Sequence, residues 1–300
     1  MENKRFKAVI LLLIVIIMLL LVFIILITNS SKTVVSTPDT KIISGTGSSE
    51  NAVPSEPVIN ESETVTTEKE IRGTLYFVID DVGNNLFQLK PFLKLPMNLT
   101  FAVLPGLKYT KQCVELIKAA GKDYIIHQPM EALGGQNPGP GALFVGMNQE
   151  QVRTIVINNL KDYNGVRGMN NHMGSAGTSD PELMNYLFNV LKEQGMFFLD
   201  SKTTAESVGL ETAKIVGIPY AERSIFLDNS KEKQSILDAV ESGLNVSEKK
   251  GHAVMIGHIW TEELADILLE LYPSLLENNY VLNNLTELFM GNGFDEDSWD

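Results

Sequence analysis

From Ile71 to the C-terminus, short apolar runs alternate with longer amphipathic stretches. This is the pattern of βα units, in which buried parallel strands are joined by helices that cover the sheet. The runs predict strands at 74–79, 99–103, 124–126, 166–169, 196–199, 225–227 and 254–256. Between them the helix signals are specific. Asp180 followed by Pro181 and Glu182 reads as an N-cap with proline in the first turn, and the helix it opens should run to Gln194 and stop at Gly195. Thr261-Glu262-Glu263 should open another, with acidic side chains against the positive end of its dipole. About seven such repeats predict an α/β fold, a distorted (β/α) barrel of about seven parallel strands, with a doubly wound open sheet as the runner-up.

The N-terminal part follows another pattern. Residues 8–27 are an unbroken apolar run. At 1.5 Å rise per residue it makes a helix about 30 Å long, enough to span a bilayer core. Lys4, Arg5 and Lys7 precede it, which predicts residues 1–28 to be a membrane anchor with the rest of the chain extracytoplasmic. A cleaved signal is the competing reading, but its apolar core is usually shorter and no Ala-x-Ala site follows. Residues 29–70, rich in Ser, Thr, Pro, Gly and Glu and free of aromatics, are expected to be a disordered linker. Residues 71–290 form the folded domain, and 291–300 an acidic tail. Gly45-Thr46-Gly47 has no strand before it and no helix pattern after it, so it is not a nucleotide loop.

Composition narrows the chemistry. The 300 residues carry a formal net charge of -13 at pH 7, most of it after residue 70, which leaves no basic stripe for nucleic acid. The single cysteine, Cys113, excludes an internal disulfide and a cysteine-built zinc site, and its place in an amphipathic stretch makes it a buried thiol. No Gly-x-Ser-x-Gly elbow, Walker loop or His-Glu-x-x-His helix is present.

The informative residues lie where the strands end. Asp80-Asp81 follows the first strand, His127 the third, Asn170-Asn171-His172 the fourth, Asp200 the fifth, Asp228 a later one and His258 the last. In a parallel barrel these positions open onto the C-terminal face, where active sites are built. Three of the four histidines fall there, and only His252, at a strand start, is incidental. Two neutral imidazoles and a carboxylate leave open positions on a divalent metal, and Asp80, Asp81, His127 and His172 could supply them. The adjacent aspartates can divide the work, one binding metal and the other taking a proton, unless Asp81 merely caps the following helix. Residues 137–141, Asn-Pro-Gly-Pro-Gly, should form a rigid loop at the rim.

Several ordered motifs carry a family resemblance. Phe77-Val78-Ile79-Asp80-Asp81-Val82-Gly83, His127-Gln128-Pro129-Met130-Glu131, Pro138-Gly139-Pro140-Gly141-Ala142, Asn170-Asn171-His172-Met173-Gly174-Ser175, Phe198-Leu199-Asp200-Ser201 and Ile256-Gly257-His258 together resemble the divergent polysaccharide deacetylases. The resemblance spans about Arg72 to Phe289 and implies a distorted barrel with a zinc-like metal held by Asp and two His. By position it makes Asp80 the base, Asp81 a metal ligand and His258 the acid that protonates the departing amine. His127 and His172, 45 positions apart, are the remaining ligands by their strand-end placement, because the chain has no His-x-x-x-His segment. Asn171 and Asp200 are candidates for substrate contact. The arginine motif of the better-known deacetylases is not evident. The implied activity is removal of acetyl groups from N-acetylated sugars of envelope polysaccharide; the alternative is a non-catalytic envelope module that keeps the barrel and binds glycan or protein.

Overall fold

The computed structural model describes residues 70–290. The apolar run 8–27, the 29–70 linker, Gly45-Thr46-Gly47 and the 291–300 tail lie outside the described residues, apart from Glu70 at the linker's end. Among the described residues, no helix is long and apolar enough to cross a membrane.

The chain alternates strands and helices in the order β1 (Gly73–Val82), α1 (Leu86–Leu93), β2 (Thr100–Val103), α2 (Thr110–Ala119), β3 (Asp123–Met130), α3 (Gln149–Leu160), β4 (Gly168–Met173), α4 (Pro181–Gln194) and β5 (Phe197–Asp200). It continues with α5 (Gly209–Val216), β6 (Tyr220–Glu222), β7 (Ile225–Phe226), α6 (Lys233–Lys250), β8 (His252–His258), α7 (Leu264–Glu277), β9 (Tyr280–Asn283) and α8 (Leu285–Met290). All strand pairings are parallel. Eight strands follow one another as β6-β5-β4-β3-β2-β1-β8-β7, and β9 pairs with the first half of β1. The result is a parallel α/β half-barrel. Its two edge strands, β6 and β7, are consecutive in the chain, and the residues between them tie the edges together: the Arg223 N–H donates to the Asp200 carbonyl and the Ser224 N–H to that of Val254.

Two strands exceed the seven expected. β6, Tyr-Ala-Glu, has no apolar run to reveal it, and β9 follows α7 without a turn signal beyond Asn278-Asn279. α4 forms as its caps predict: Asp180 accepts from the Leu183 N–H at 2.7 Å, Pro181 opens the first turn, and Gly195 ends it at φ 63°. α7 starts later than expected, at Leu264. Residues 261–263 are turned instead, because the Thr261 hydroxyl is bonded to Asp228 at 2.6 Å and its carbonyl accepts from Leu264 N–H. Cys113 is buried on α2, as its position suggested.

The sheet buries both faces, and strand periodicity of two sorts its residues between two cores. On β1, Leu75, Phe77 and Ile79 join the outer core beneath the helices. Tyr76 and Val78 join an inner cluster with Ala102, Ile125, Phe197, Leu199, Val254 and Ile256. Helix α8 contributes Leu285 to that inner cluster, and its Phe289 ring stacks on Phe197 with centroids 4.0 Å apart. Gly168 sits in register with Phe197, and any Cβ there would lie 2.1 Å from that ring. The N-terminal end of the barrel is thus filled mainly with apolar side chains, while Asp80, His127, Asn170 and His258 lie toward the other end.

Candidate metal centre

The inward series of each strand continues from this apolar layer into the polar one. Tyr76 and Val78 are followed by Asp80, Ile125 by His127, and Val254 and Ile256 by His258. Asn170 and His172 are two apart on β4, so they share a face. The strands run further than expected: Asp80, Asp81, His127 and His172 all lie within β1, β3 and β4, and Asp200 and His258 end β5 and β8. Pairing persists to the rim, where the polar side chains are bonded to one another.

Asp81 is out of phase with this series, and a bulge corrects it. Between Ile79 and Val82 the β1–β2 register slips by one residue, and Asp81 takes φ 65°. For a residue with a Cβ this left-handed conformation costs on the order of 1–2 kcal/mol, and Asp tolerates it better than most. Met173 and Lys202, just past His172 and Asp200, also have positive φ. Strain of this kind clusters where the surroundings over-determine the backbone for function. Asp81 caps no helix: α1 is capped by Asn85, which accepts from the Gln88 N–H at 2.9 Å.

The consequence is a triangle of donor atoms. Asp81 Oδ1 lies 2.9 Å from His172 Nδ1 and 3.2 Å from His127 Nε2, and the two ring nitrogens are 3.1 Å apart. His127 is buried, while Asp81 and His172 are partly open to solvent. The tautomer of His127 follows from its neighbours. Asn170 Nδ2 donates to Asp80 Oδ1 at 2.9 Å, so Asn170 Oδ1 is the acceptor that faces His127 Nδ1 at 2.8 Å. His127 therefore carries its neutral-form proton on Nδ1 and aims the Nε2 lone pair into the triangle. Three lone-pair donors on one point, of the types Asp, His and His, fit a divalent cation. The same point attracts positive charge: burial pushes the Asp81 carboxyl up, but His127 and His172, which donate to it when their facing nitrogens carry protons in place of a cation, outweigh burial and hold the group well below the usual carboxylate range.

Asp80 and His258 flank the triangle as register partners across β1 and β8. Burial raises the Asp80 carboxyl above its ordinary value, against the pull of His127 and His258. Its Oδ2 lies 3.7 Å from His127 Nε2. His258 Nδ1 meets Asp228 Oδ1 at 2.8 Å, and Asp228 Oδ2 accepts from the His258 backbone N–H and the Thr261 hydroxyl. A carboxylate so supplied with donors is ionised, so His258 Nδ1 carries a proton and Nε2 is left to exchange one. Burial lowers His258, but the Asp228 bond and the charge of Asp80 outweigh it and set the imidazole above its ordinary value. Trp260 completes the group, donating from Nε1 to Asp81 Oδ2 at 2.8 Å and stacking on His258 at 4.8 Å.

Asn171 and Asp200 are not brought into this cluster. Both belong to the outward series of their strands. Asn171 is buried, donating to the Met173 carbonyl and accepting from the Ser201 N–H. Asp200 is fully buried against Ser207, Tyr220 and the Lys202 N–H. They fasten the loops after β4 and β5. Asn170, Asp228, Trp260 and Arg223 take the places that sequence reasoning left unassigned. Arg223 bonds the carbonyls of Ser201 and Lys202 and feels the charges of Asp200 and Asp80, although no arginine motif marks it. The 137–141 loop is fastened by Gln128 and Asn159, which both donate to the Gly141 carbonyl.

Known proteins resemble this chain. An uncharacterized protein of Haemophilus influenzae is 37% identical over 187 residues, covering 62% of this chain and 67% of that protein. The uncharacterized protein YibQ of Escherichia coli K12 is 27% identical over 188 residues, 63% of this chain and 59% of its own length, so the match spans under two thirds of that relative. The crystal structure of an uncharacterized protein from Agrobacterium tumefaciens C58 superposes with a TM-score of 0.69 at 18% identity, covering 73% of this chain and 91% of that one, and so shares the fold. The family model for divergent polysaccharide deacetylases matches residues 77–289, from the strand that carries both aspartates to the helix that closes the barrel, and the chain belongs to that family.

Proposed function

We propose that the protein is a metal-dependent hydrolase that removes acetyl groups from N-acetylated sugars of an envelope polysaccharide. The observation that carries this reading is the placement of a buried carboxylate and a carboxylate-oriented imidazole, Asp80 and His258, in register beside a three-donor cluster. Asp81 Oδ1, His127 Nε2 and His172 Nδ1 would hold the metal. When bound, such an ion supplies Lewis acidity to an amide carbonyl and lowers the pKa of water.

The chain's own residues handle the protons. Asn170 and the strand hold Asp80 so that Oδ2 remains to accept a proton from the attacking water. Burial raises its carboxyl, which makes the carboxylate a stronger base than one in solvent. Asp228 orients His258 through Nδ1, so Nε2 delivers the proton that the departing amine needs. The extracytoplasmic location rests on the basic-flanked apolar run 8–27, and the glycan substrate on the family.

The test is acetate release from acetylated chitin and peptidoglycan fragments by the zinc-loaded full-length protein. Asp80→Asn and His258→Ala should each keep bound metal while losing about 10²- to 10⁴-fold in rate. A metal-loaded wild type that releases no acetate from any of these glycans, or variants as active as wild type, would overturn the enzymatic reading in favour of a binding module.

A further inference from the structure

Two residues past His258, the Trp260 indole touches both halves of the site. Its N–H donates to Asp81 Oδ2 at 2.8 Å, while Asp81 Oδ1 faces the two histidine nitrogens. Its ring lies on His258 with centroids 4.8 Å apart and planes 20° from parallel. Phe226 also stacks on His258, at 5.6 Å and 26°. Two aromatic rings, both within 26° of parallel, thus pack on the imidazole and fix its plane. Trp260 is 37% exposed, so burial of apolar surface alone does not explain why a tryptophan stands there. Its backbone is fixed by the turn that follows, in which Thr261 N–H donates to the His258 carbonyl and the Thr261 hydroxyl to Asp228.

A free carboxylate beside a cation can use one oxygen or two. The indole bond occupies Oδ2 and points it away from the histidines, which leaves Oδ1 alone in the triangle. We propose that Trp260 is a positioning residue with two duties: it holds Asp81 to single-oxygen use, and it fixes the plane in which His258 presents Nε2. The inference rests on the metal-site reading above and extends it to a side chain outside the ligand set. It also explains the strained backbone of Asp81: at φ 65° the carboxylate projects between the histidines and the indole, so both oxygens are engaged at once.

The experiment compares full-length wild type, Trp260→Phe and Trp260→Leu for zinc affinity by chelator competition, cobalt(II) visible absorption and thermal melting of the metal-free protein. Trp260→Phe keeps a ring on His258 and loses the N–H. It should bind zinc about 10- to 100-fold more weakly, as loss of a partner to a ligand typically does, with an altered cobalt spectrum as Oδ2 becomes free. Melting of the metal-free protein should be unchanged. Trp260→Leu should show the same metal defect and, because the stack is lost as well, a further fall in kcat at unchanged KM. Wild-type zinc affinity and an unaltered cobalt spectrum in Trp260→Phe would overturn the inference, as would a wild type that binds no zinc. A wild type that binds zinc and releases no acetate would defeat the deacetylase reading and leave the metal-positioning role of Trp260 standing.

Discussion

His127 and Asn170 face each other in the register of β3 and β4, and the 2.8 Å bond between Nδ1 and Oδ1 determines which nitrogen of the histidine is left for a cation. The same amide donates from Nδ2 to Asp80 Oδ1 and, at 3.2 Å, to Ser201 Oγ. One buried side chain thus orients both a candidate ligand, His127, and the proposed base, Asp80.

Replacing Asn170 should separate these duties. Asn170→Ala strands the His127 N–H and one oxygen of Asp80 in a buried site, which should cost about 1–3 kcal/mol of stability and about 10- to 100-fold in metal affinity. Asn170→Asp can still accept from His127 but places a second carboxylate against Asp80. Metal affinity should then stay within a few fold of wild type while the rate falls. Calorimetric zinc titration with denaturant unfolding of the three proteins checks both, and equal losses of metal in the two variants would contradict the division.

How far this site was legible in the sequence turns on strand phase. The strand ends mark Asp80, His127, His172 and His258, and alternation sets Asn171 and Asp200 on the other face. Asn170 is two residues from His172 and shares its face, whereas Asn171 lies between them and points outward to Met173 and Ser201. Asp200 is next to Leu199 of the inner cluster, so it faces the other way, toward Tyr220. Asp81 shows the opposite case: strict alternation would turn it away, and only the bulge, which no local residue pattern announces, brings it back. Trp260 could not be found from sequence spacing, because its partner Asp81 is 179 positions away. The caps of α4 were readable because Asp180, Pro181 and Gly195 each act on their own neighbours.

The N-terminal run 8–27 gives a prediction of location. Twenty apolar residues behind Lys4, Arg5 and Lys7 should keep the full-length protein in the membrane fraction through salt and alkaline washes. Protease added to intact spheroplasts should remove the domain from Ile71 onward. A soluble form beginning near residue 30 would point to cleavage of the run instead.

The Asp228–His258 pair makes stability depend on pH from both sides. Burial pushes the Asp228 carboxyl up, but its bonds to His258 and Thr261 outweigh it, so its folded value lies below the ordinary 3.8. Its contribution is present above that ordinary value and is lost as pH falls through the folded one. His258 is shifted the other way, above the ordinary 6.5, so its contribution is complete below 6.5 and is lost as pH rises through the folded value. The pair is therefore fully effective between 3.8 and 6.5 and declines on the alkaline side. Asp228→Asn keeps an acceptor for Thr261 and removes the charge. In denaturant unfolding from about pH 5 to pH 9, wild type should lose stability with a slope of at most about 1.4 kcal/mol per pH unit from this histidine, and the variant should show a shallower loss in the same window. The activity should follow the same group. With its carboxylate gone, His258 gives up its proton at lower pH, so the alkaline limb of the kcat profile should move to lower pH in Asp228→Asn while the acid limb, which reports Asp80, stays in place. If the variant keeps both the wild-type stability slope and the wild-type alkaline limb, Asp228 does not set the proton affinity of His258.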